Sequence, residues 1–281
     1  MNFKSLFTLC FTILILCACK NESKSVAPVQ TKAIEQEEVV SAKTFKNKAH
    51  EMVYNMVNKV GDYNMLKNKK DVVYTYTYKT PDGKADESTE KYIFEGELSY
   101  ASYDKHDITL TDLKGQVEQG YDGQNYWLRH KGKSISDEKA LKMTAFNRPT
   151  NFYWFAMFQK LLDPSVIYEY IGEKTIEGRI YDIVKISFDI PERPTDIYQL
   201  YINRETLLVD QFLFTVVDFN MVDTPLLMQL EYEEVEGMLI PAKRKYKMST
   251  WNADIDDKPW VNLTWSNIKF DNGLSTEDFK L

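Results

Sequence analysis

The chain has 281 residues, of which 43% are hydrophobic and 27% charged, in proportions that are typical of a globular protein. Its formal net charge of -7 at pH 7 argues against binding to nucleic acid and against broad electrostatic docking on anionic lipid, since both recruit basic patches. Aromatic residues make up 14% of the chain, and this surplus favours β-strands.

The N-terminal segment combines Lys4 with an apolar run over residues 6–18, which has the length of a signal-peptide core and is too short to span a bilayer comfortably. The run ends in "LCAC" (16–19), which resembles the lipobox of bacterial lipoproteins. That resemblance implies that residues 1–18 are a signal peptide and that Cys19 receives a diacylglyceryl thioether as the new N-terminus. A plain secretory peptide and an uncleaved anchor are the alternatives.

All three cysteines, Cys10, Cys17 and Cys19, lie within the first 19 residues. Cys10 and Cys17 would leave with the signal peptide and Cys19 would carry the thioether, so the mature chain would have neither a free thiol nor a disulfide. Two or three acyl chains on Cys19 would hold the protein stably, because each buried CH₂ contributes about 0.8 kcal/mol. We therefore expect a lipid-anchored protein of the bacterial cell envelope, at the outer membrane, facing the periplasm or the cell surface.

Residues 19–43 are polar, lack aromatic residues and predict a flexible tether. The remaining residues, 44–281, show no internal repeat and no linker, which predicts a single domain. Apolar residues at spacings of three and four predict an initial amphipathic helix that ends near Gly61. They are Phe45, Ala49, Met52, Val53, Met56, Val57 and Val60.

Strands rich in β-branched and aromatic residues follow, separated by turn chemistry such as Pro81-Asp82-Gly83 and Asp122-Gly123. Because the turns are short and no βαβ rhythm appears, the pattern predicts an up-and-down antiparallel sheet. The predicted strand segments are 71–80, 88–103 with a bend near Gly96, 106–113, 115–121, 124–132, a hairpin over 165–189, 196–203, 207–219, 226–234, 240–248 and 260–270.

Two helices are predicted to interrupt the sheet. The first covers 136–149, with Ser136 as its N-cap and Pro149 as its stop. The second covers 150–164 and is apolar over most of its circumference, so it must be buried on more than one side.

This order of elements resembles the LolA/LolB-like superfamily of outer-membrane lipoprotein carriers and receptors. The resemblance covers roughly residues 44–281 and rests on layout and loose signatures: "YNMLKNKKDVVYTYTY" (63–78), "YDGQNYW" (121–127) and "WSNIKFDNGLSTEDFKL" (265–281). It implies a mainly β (α+β) fold, an open antiparallel half-barrel of about eleven strands with helices covering the concave face. It also implies an apolar cavity, which relatives use for acyl chains or hydrophobic peptides.

Anchoring through Cys19 departs from the soluble carriers of that superfamily, and it favours a fixed receptor, acceptor or sensor at a membrane. We expect a hydrophobic ligand, an acyl chain or lipid, to bind between the sheet and the helical lid. The alternative is a closed core filled by the same side chains. The predicted lining is Trp154, Phe155, Met157, Phe158, Leu230 and Tyr246.

Residues that carry chemistry are sparse, so we expect no enzyme, no cofactor and no metal. His50-Glu51 begins like a zinc-binding HExxH motif, but Tyr54 stands where the second histidine belongs. The acids of "NADIDD" (252–257) lack the glycine and the distal glutamate of a calcium loop. The expected function is therefore the binding of a hydrophobic ligand by a lipid-anchored protein, with a role in lipoprotein or lipid handling. The alternative is an envelope interaction or sensor module that binds another protein.

Overall fold

The fold is given by a computed structural model, which describes residues 43–191 and 193–281. The predicted signal peptide and almost all of the predicted tether lie outside the described residues. Contacts gather Thr44–Leu281 into one compact unit. None of the helices in this described part is long and apolar enough to cross a membrane.

A single antiparallel sheet of thirteen strands dominates the structure, in the order β6-β5-β4-β3-β2-β1-β13-β12-β11-β10-β9-β8-β7. The strands are β1 (Asp71–Lys79), β2 (Ala85–Ile93), β3 (Leu98–His106), β4 (Val117–Tyr121), β5 (Tyr126–His130), β6 (Lys133–Ser134), β7 (Val166–Ile176), β8 (Arg179–Phe188), β9 (Tyr198–Asn203), β10 (Val209–Val216), β11 (Met221–Val235), β12 (Met238–Met248) and β13 (Val261–Phe270).

The first and last strands pair in the middle of the sheet, where β1 lies beside β13. The chain runs outward from β1 to β6 at one edge and then inward from β7 at the other edge to β13, so the sheet stays open. The mainly β, open antiparallel fold expected from the sequence is confirmed. The sheet has thirteen strands where about eleven were expected, and one of them, β6, is only two residues long.

The segment 106–113 is not a strand, although its alternating sequence predicted one. Only His106 belongs to a strand, at the end of β3, and turns follow it. The Asp86 carboxylate accepts hydrogen bonds from the backbone N–H groups of Ile108 (2.8 Å) and Thr109 (2.9 Å). Because a side chain takes up these donors, the backbone turns away from a strand ladder.

Helix α1 (Lys48–Val60) begins at Asn47, whose side chain accepts from His50 N, and ends at Gly61 with a positive φ of 111°. Its buried stripe faces the sheet and consists of Ala49, Val53, Met56, Val57 and Val60. This helix agrees with the periodicity of the sequence. A short helix, α2 (Tyr63–Asn68), follows and begins at Asp62.

Helix α3 (Glu138–Lys160) is continuous, and the predicted break at Pro149 is wrong. Its N-cap is Asp137, which accepts from Ala140 N at 2.8 Å, and not Ser136. Proline removes one helical hydrogen bond and crowds the preceding turn. The helix continues because residues on both sides of Pro149 are anchored in the core. Arg148 has no exposed surface, and Phe152 is only 4% exposed.

The core lies mainly between α1, α3 and the concave face of the sheet. One cluster packs α1 and the end of α3 against β7–β11, and a second packs the middle of α3 against β1, β2 and β13. On the convex face, the loop 249–260 covers a smaller cluster that includes Tyr181, Tyr201 and Leu213. The long helix and the curved sheet therefore leave space between them only where their side chains do not meet.

Candidate ligand cavity

A cavity of about 600 Å³ lies between the middle of α3 and the concave face of the central strands. Its volume falls within the range of roughly 300–1,000 Å³ that is usual for small-molecule sites. Its wall is formed by Tyr76, Tyr78, Asp86, Tyr103, Ile108, Thr109, Phe146, Asn147, Pro149, Thr150, Asn151, Tyr153, Trp154, Arg193, Asp196, Tyr198, Phe214, Thr215, Val216, Asp218, Phe219, Met221, Leu226, Met228, Tyr246 and Leu263.

The mouth of this cavity carries both apolar and charged groups. The ring of Phe219 is 57% exposed and packs edge-on against Phe146, with centroids 5.0 Å apart. Arg193 and Asp218 are exposed beside it. An aromatic pair beside exposed charges gives the entrance an amphipathic character.

The interior is apolar and aromatic, with two methionines. Trp154 stacks on Phe212 at 5.8 Å and meets Phe214 edge-on at 5.2 Å. Met221 and Met228 contribute thioether side chains from β11, which can repack around different ligand shapes. This part of the wall offers a ligand contact area and shape rather than charge.

Six tyrosines line the same cavity, and they differ in how their hydroxyls are bonded. The hydroxyls of Tyr78 and Tyr246 bind each other. That of Tyr103 accepts from Arg148 at 3.4 Å and contacts Gln119 at 3.5 Å. The remaining three are Tyr76, Tyr153 and Tyr198, and burial raises the pKa of each well above its usual value. Their hydroxyls therefore stay protonated at neutral pH.

A buried polar network lies beside the cavity. Arg148 of α3 donates to both carboxylate oxygens of Glu90 on β2, at 2.8 and 3.3 Å. Ser88 Oγ and Tyr92 Oη donate to the same carboxylate at 2.9 and 2.8 Å. Charges without solvent access need such partners, so this network fixes the position of α3 over the sheet.

Arg244 of β12 is a second buried cation, and it forms no ion pair within the part of the chain that the structure describes. It donates to the carbonyl oxygens of Pro241 (3.0 Å) and Trp154 (2.9 Å), and its guanidinium lies 3.8 Å from the ring centroid of Trp265. Burial lowers its pKa to about 10, so it remains charged at neutral pH. It joins β12 to the middle of α3 beneath the cavity.

Two of the six residues predicted to bind the ligand, Trp154 and Tyr246, lie on the cavity wall. The other four lie deeper and surround a closed void of about 10 Å³, which is about the smallest space that holds one water molecule. They are Phe155, Met157, Phe158 and Leu230. In this part of the molecule the side chains fill a core.

Sequence reasoning missed the tyrosines of the wall. Tyr76 and Tyr78 alternate along β1 with Thr75 and Thr77, so the two tyrosines share one face of the strand. That alternation is visible in the sequence, but it does not show which face of β1 lies on the concave side of the sheet. Tyr153 and Phe146 belong to a helix whose rotation against the sheet is set by packing.

The three histidines hold loops and helix ends in place. His50 stacks on Tyr168 at 4.7 Å, and the Nε2 atoms of His106 and His130 lie 2.7 and 2.9 Å from the carbonyl oxygens of Gly115 and Lys114. Within the described residues, no group of three or more His, Cys, Asp or Glu side chains could hold a metal ion.

The structure thus has the architecture of an open half-barrel with a long helix across its concave face and a cavity between the two. Residues 91–225 match a family model described as "Family of unknown function (DUF6503)". No curated protein matches the chain with significance.

Among solved structures, the fold is similar to a LolA superfamily protein from Nitrosomonas europaea, with 10% identity and a TM-score of 0.47 over 82% of this chain and 97% of that chain. It is also similar to a DUF1329 family protein from Desulfovibrio piger, with 14% identity and a TM-score of 0.47 over 82% of this chain and 95% of that one. The LolA-like resemblance inferred from the sequence agrees with these matches. At such identities and TM-scores they carry no statement of function.

Proposed function

We propose that this chain is a non-enzymatic, lipid-anchored binding protein of the bacterial cell envelope, which holds a hydrophobic ligand between the sheet and α3. The observation that carries the proposal is the cavity of about 600 Å³ with its aromatic, aliphatic and methionine wall. A cavity of this kind is the usual form of a site for an apolar ligand.

Size limits what the site accepts. A cavity of about 600 Å³ suits one small amphiphile rather than several acyl chains at once. The mouth beside Phe146 and Phe219 provides an apolar entrance, and the exposed Arg193 and Asp218 can contact a polar headgroup that stays in water. The ligand class is thus an acyl chain or a lipid with one apolar tail in the cavity.

Native mass spectrometry with lipid extraction tests ligand binding. The protein would start at residue 20, which retains the whole compact unit Thr44–Leu281 and lacks Cys19. It would be purified without detergent. We expect a co-purified fatty acid or phospholipid, or uptake of one from added lipid. A protein that stays free of ligand under both conditions would overturn the proposal and favour a protein partner as the alternative.

Two neighbouring substitutions give a matched control. Met221→Trp places an indole on the cavity wall, whereas Val222→Trp places the same side chain on an exposed position that is 42% accessible. We expect Met221→Trp to abolish the bound mass and Val222→Trp to retain it. Equal occupancy of both variants would show that the lipid binds elsewhere.

The anchor needs a separate test on the full chain. Wild-type protein grown with an alkynyl fatty acid should become labelled and fractionate with membranes, and Cys19→Ser should lose both properties. Labelling that survives Cys19→Ser would overturn the anchor without affecting the cavity.

A further inference from the structure

The charged groups on the cavity wall are unbalanced. Three acids, Asp86, Asp196 and Asp218, line the wall together with one base, Arg193. None of these four side chains forms an ion pair with another residue that the structure describes. The cavity therefore presents a net negative charge to a ligand.

Asp196 is the acid of this set that keeps a carboxylate oxygen available. Its Oδ1 atom accepts hydrogen bonds from Val217 N (2.8 Å) and Thr215 Oγ1 (3.3 Å), whereas its Oδ2 atom accepts none within the described ranges. Asp86 differs, because each of its two oxygens accepts a backbone N–H of the turn that follows β3. The carboxylate of Asp86 thus holds a turn, and that of Asp196 can bind a further donor.

The surroundings of Asp196 disfavour an unpaired negative charge. Burial raises the pKa of its carboxyl group, and the charge of Asp218 raises it further. A partly buried carboxylate is stabilised by a cation that also donates a hydrogen bond to it. Because Arg193 pairs with neither acid, a ligand that enters the cavity can supply this cation.

Aromatic rings beside the two acids favour the same kind of group. Tyr198 lies close enough to Asp196 that the carboxylate raises the pKa of its hydroxyl. Phe219 directly follows Asp218 and packs edge-on against Phe146 at the mouth. The faces of such rings attract an ammonium group. Acids and rings together give the mouth the chemistry of an amine site, with the apolar wall behind it for a tail.

We propose that the cavity prefers an amphiphile whose single apolar tail carries a protonated amine, and that this amine donates to Asp196 Oδ2 beside Asp218 and the ring of Phe219. The inference rests on the proposed function, and it specifies the polar group of the ligand. A fatty acid of the same length presents the opposite charge and binds more weakly, because like charges repel.

Three probes with tails of equal length test the proposal: dodecylamine, dodecanol and lauric acid. Each would be titrated by calorimetry, below its micellar concentration, at neutral pH and low salt, into the protein that starts at residue 20. We expect dodecylamine to bind at least about tenfold more tightly than dodecanol, the factor for one charge-assisted hydrogen bond at a partly exposed site, and lauric acid to bind most weakly. Added salt should reduce the advantage of the amine.

Asp196→Asn removes the charge and keeps an oxygen for Val217 N. We expect it to reduce the affinity for dodecylamine about tenfold and to leave that for dodecanol unchanged. Asp223→Asn is the matched control, since it changes the net charge equally at an exposed position outside the cavity wall. Equal losses in both variants would show that the overall charge attracts the amine, and they would overturn the role of Asp196.

Asp218→Asn gives a second reading at an exposed position, so the test does not depend on the folding of Asp196→Asn, which circular dichroism checks. We expect it to reduce the affinity for dodecylamine at least about twofold, because its charge acts through space. An affinity that this substitution leaves unchanged would contradict the proposal.

The outcomes separate the two proposals. Dodecanol that binds as tightly as dodecylamine, or lauric acid that binds more tightly, would overturn the preference for an amine and leave the hydrophobic cavity intact. Failure of every probe to bind would overturn the proposed function and this inference together.

Discussion

Arg148 and Glu90 form an ion pair in which neither side chain has any exposure to solvent. The guanidinium donates to both carboxylate oxygens, at 2.8 and 3.3 Å, which gives the pair the geometry of a two-pronged contact. Arg148 directly precedes Pro149 in α3, and Glu90 lies on β2. The pair therefore holds the helix against the sheet at the turn where the proline would otherwise favour a break.

Arg148→Met leaves Glu90 as a buried carboxylate without its cation, and we expect a loss of about 3–5 kcal/mol in the free energy of unfolding. Urea denaturation followed by circular dichroism measures it. Arg129→Met is the control, because Arg129 pairs with Glu118 at 3.4 Å in a partly exposed position, and the pair should contribute less than about 1 kcal/mol. Adding Glu90→Gln to Arg148→Met should recover part of the loss. Similar losses for Arg148→Met and Arg129→Met would contradict this account.

Local patterns in the sequence predicted most of the fold. The apolar stripe of α1 and the alternation of apolar and polar residues along the strands each mark one buried face, so these elements were predicted correctly from the sequence. The helix through Pro149 was missed because packing around Arg148 and Phe152 outweighs the local preference. The segment 106–113 was missed because Asp86, more than twenty residues away, takes the backbone donors.

The candidate site was only partly predictable for the same physical reason. The segment 150–162 is apolar on nearly all sides, so periodicity does not show which side faces a cavity and which a filled core. Trp154 lies on the cavity, whereas Phe155 and Phe158 lie in closed packing. Only the register of α3 on the sheet separates these residues, and that register comes from contacts distant in sequence.

Asn47 has two structural roles that one substitution can test. Its side-chain oxygen accepts from His50 N at 2.9 Å as the N-cap of α1, and its amide donates to Tyr168 O at 2.9 Å on the edge strand β7. Lys46 donates to the carbonyl oxygens of Pro164 and Val166 on the same edge. Together they cover an edge that would otherwise be open to pairing with another chain.

Asn47→Ala should lower the free energy of unfolding by about 1–2 kcal/mol, the usual range for a lost N-cap. It should also increase self-association at high concentration, measured by light scattering. Asn47→Asp is the matched variant, because it keeps the capping oxygen and loses the amide donor. We expect it to restore most of the stability but not the resistance to association. Wild-type behaviour of Asn47→Ala in both assays would show that the edge is protected in another way.

Gly120 on β4 faces Trp127, its partner on β5, so closely that a Cβ atom would overlap the indole ring. The indole Nε1 in turn donates to Phe279 O at 2.6 Å near the C-terminus. We expect Gly120→Ala to cost about 1–3 kcal/mol through overpacking. In a Trp127→Leu background the same substitution should cost much less, and a double-mutant cycle by urea denaturation measures the coupling. Equal costs in both backgrounds would place the strain elsewhere.

Asp182 on β8 links stability to pH. It accepts from Arg204 Nη2 (2.7 Å) and Nε (3.0 Å) and from Tyr170 Oη (3.1 Å), and the bonds from Arg204 lower the pKa of its carboxyl group. A carboxyl pKa that is lower in the folded state stabilises the fold above the unfolded value of about 3.9, and this contribution is lost as the pH falls through the folded value.

Asp182→Asn should therefore lower the free energy of unfolding by about 1–2 kcal/mol at neutral pH. This is the contribution of a charged hydrogen bond, reduced because Arg204 is partly exposed to solvent. The difference from wild type should shrink below pH ~4, where the unfolded chain begins to bind the proton, and vanish at more acidic pH. Urea denaturation at a series of pH values measures it, with Asp223→Asn at an exposed position as the control. A difference that grows on acidification would mean that Asp182 has a raised pKa and that its contacts with Arg204 do not form in solution.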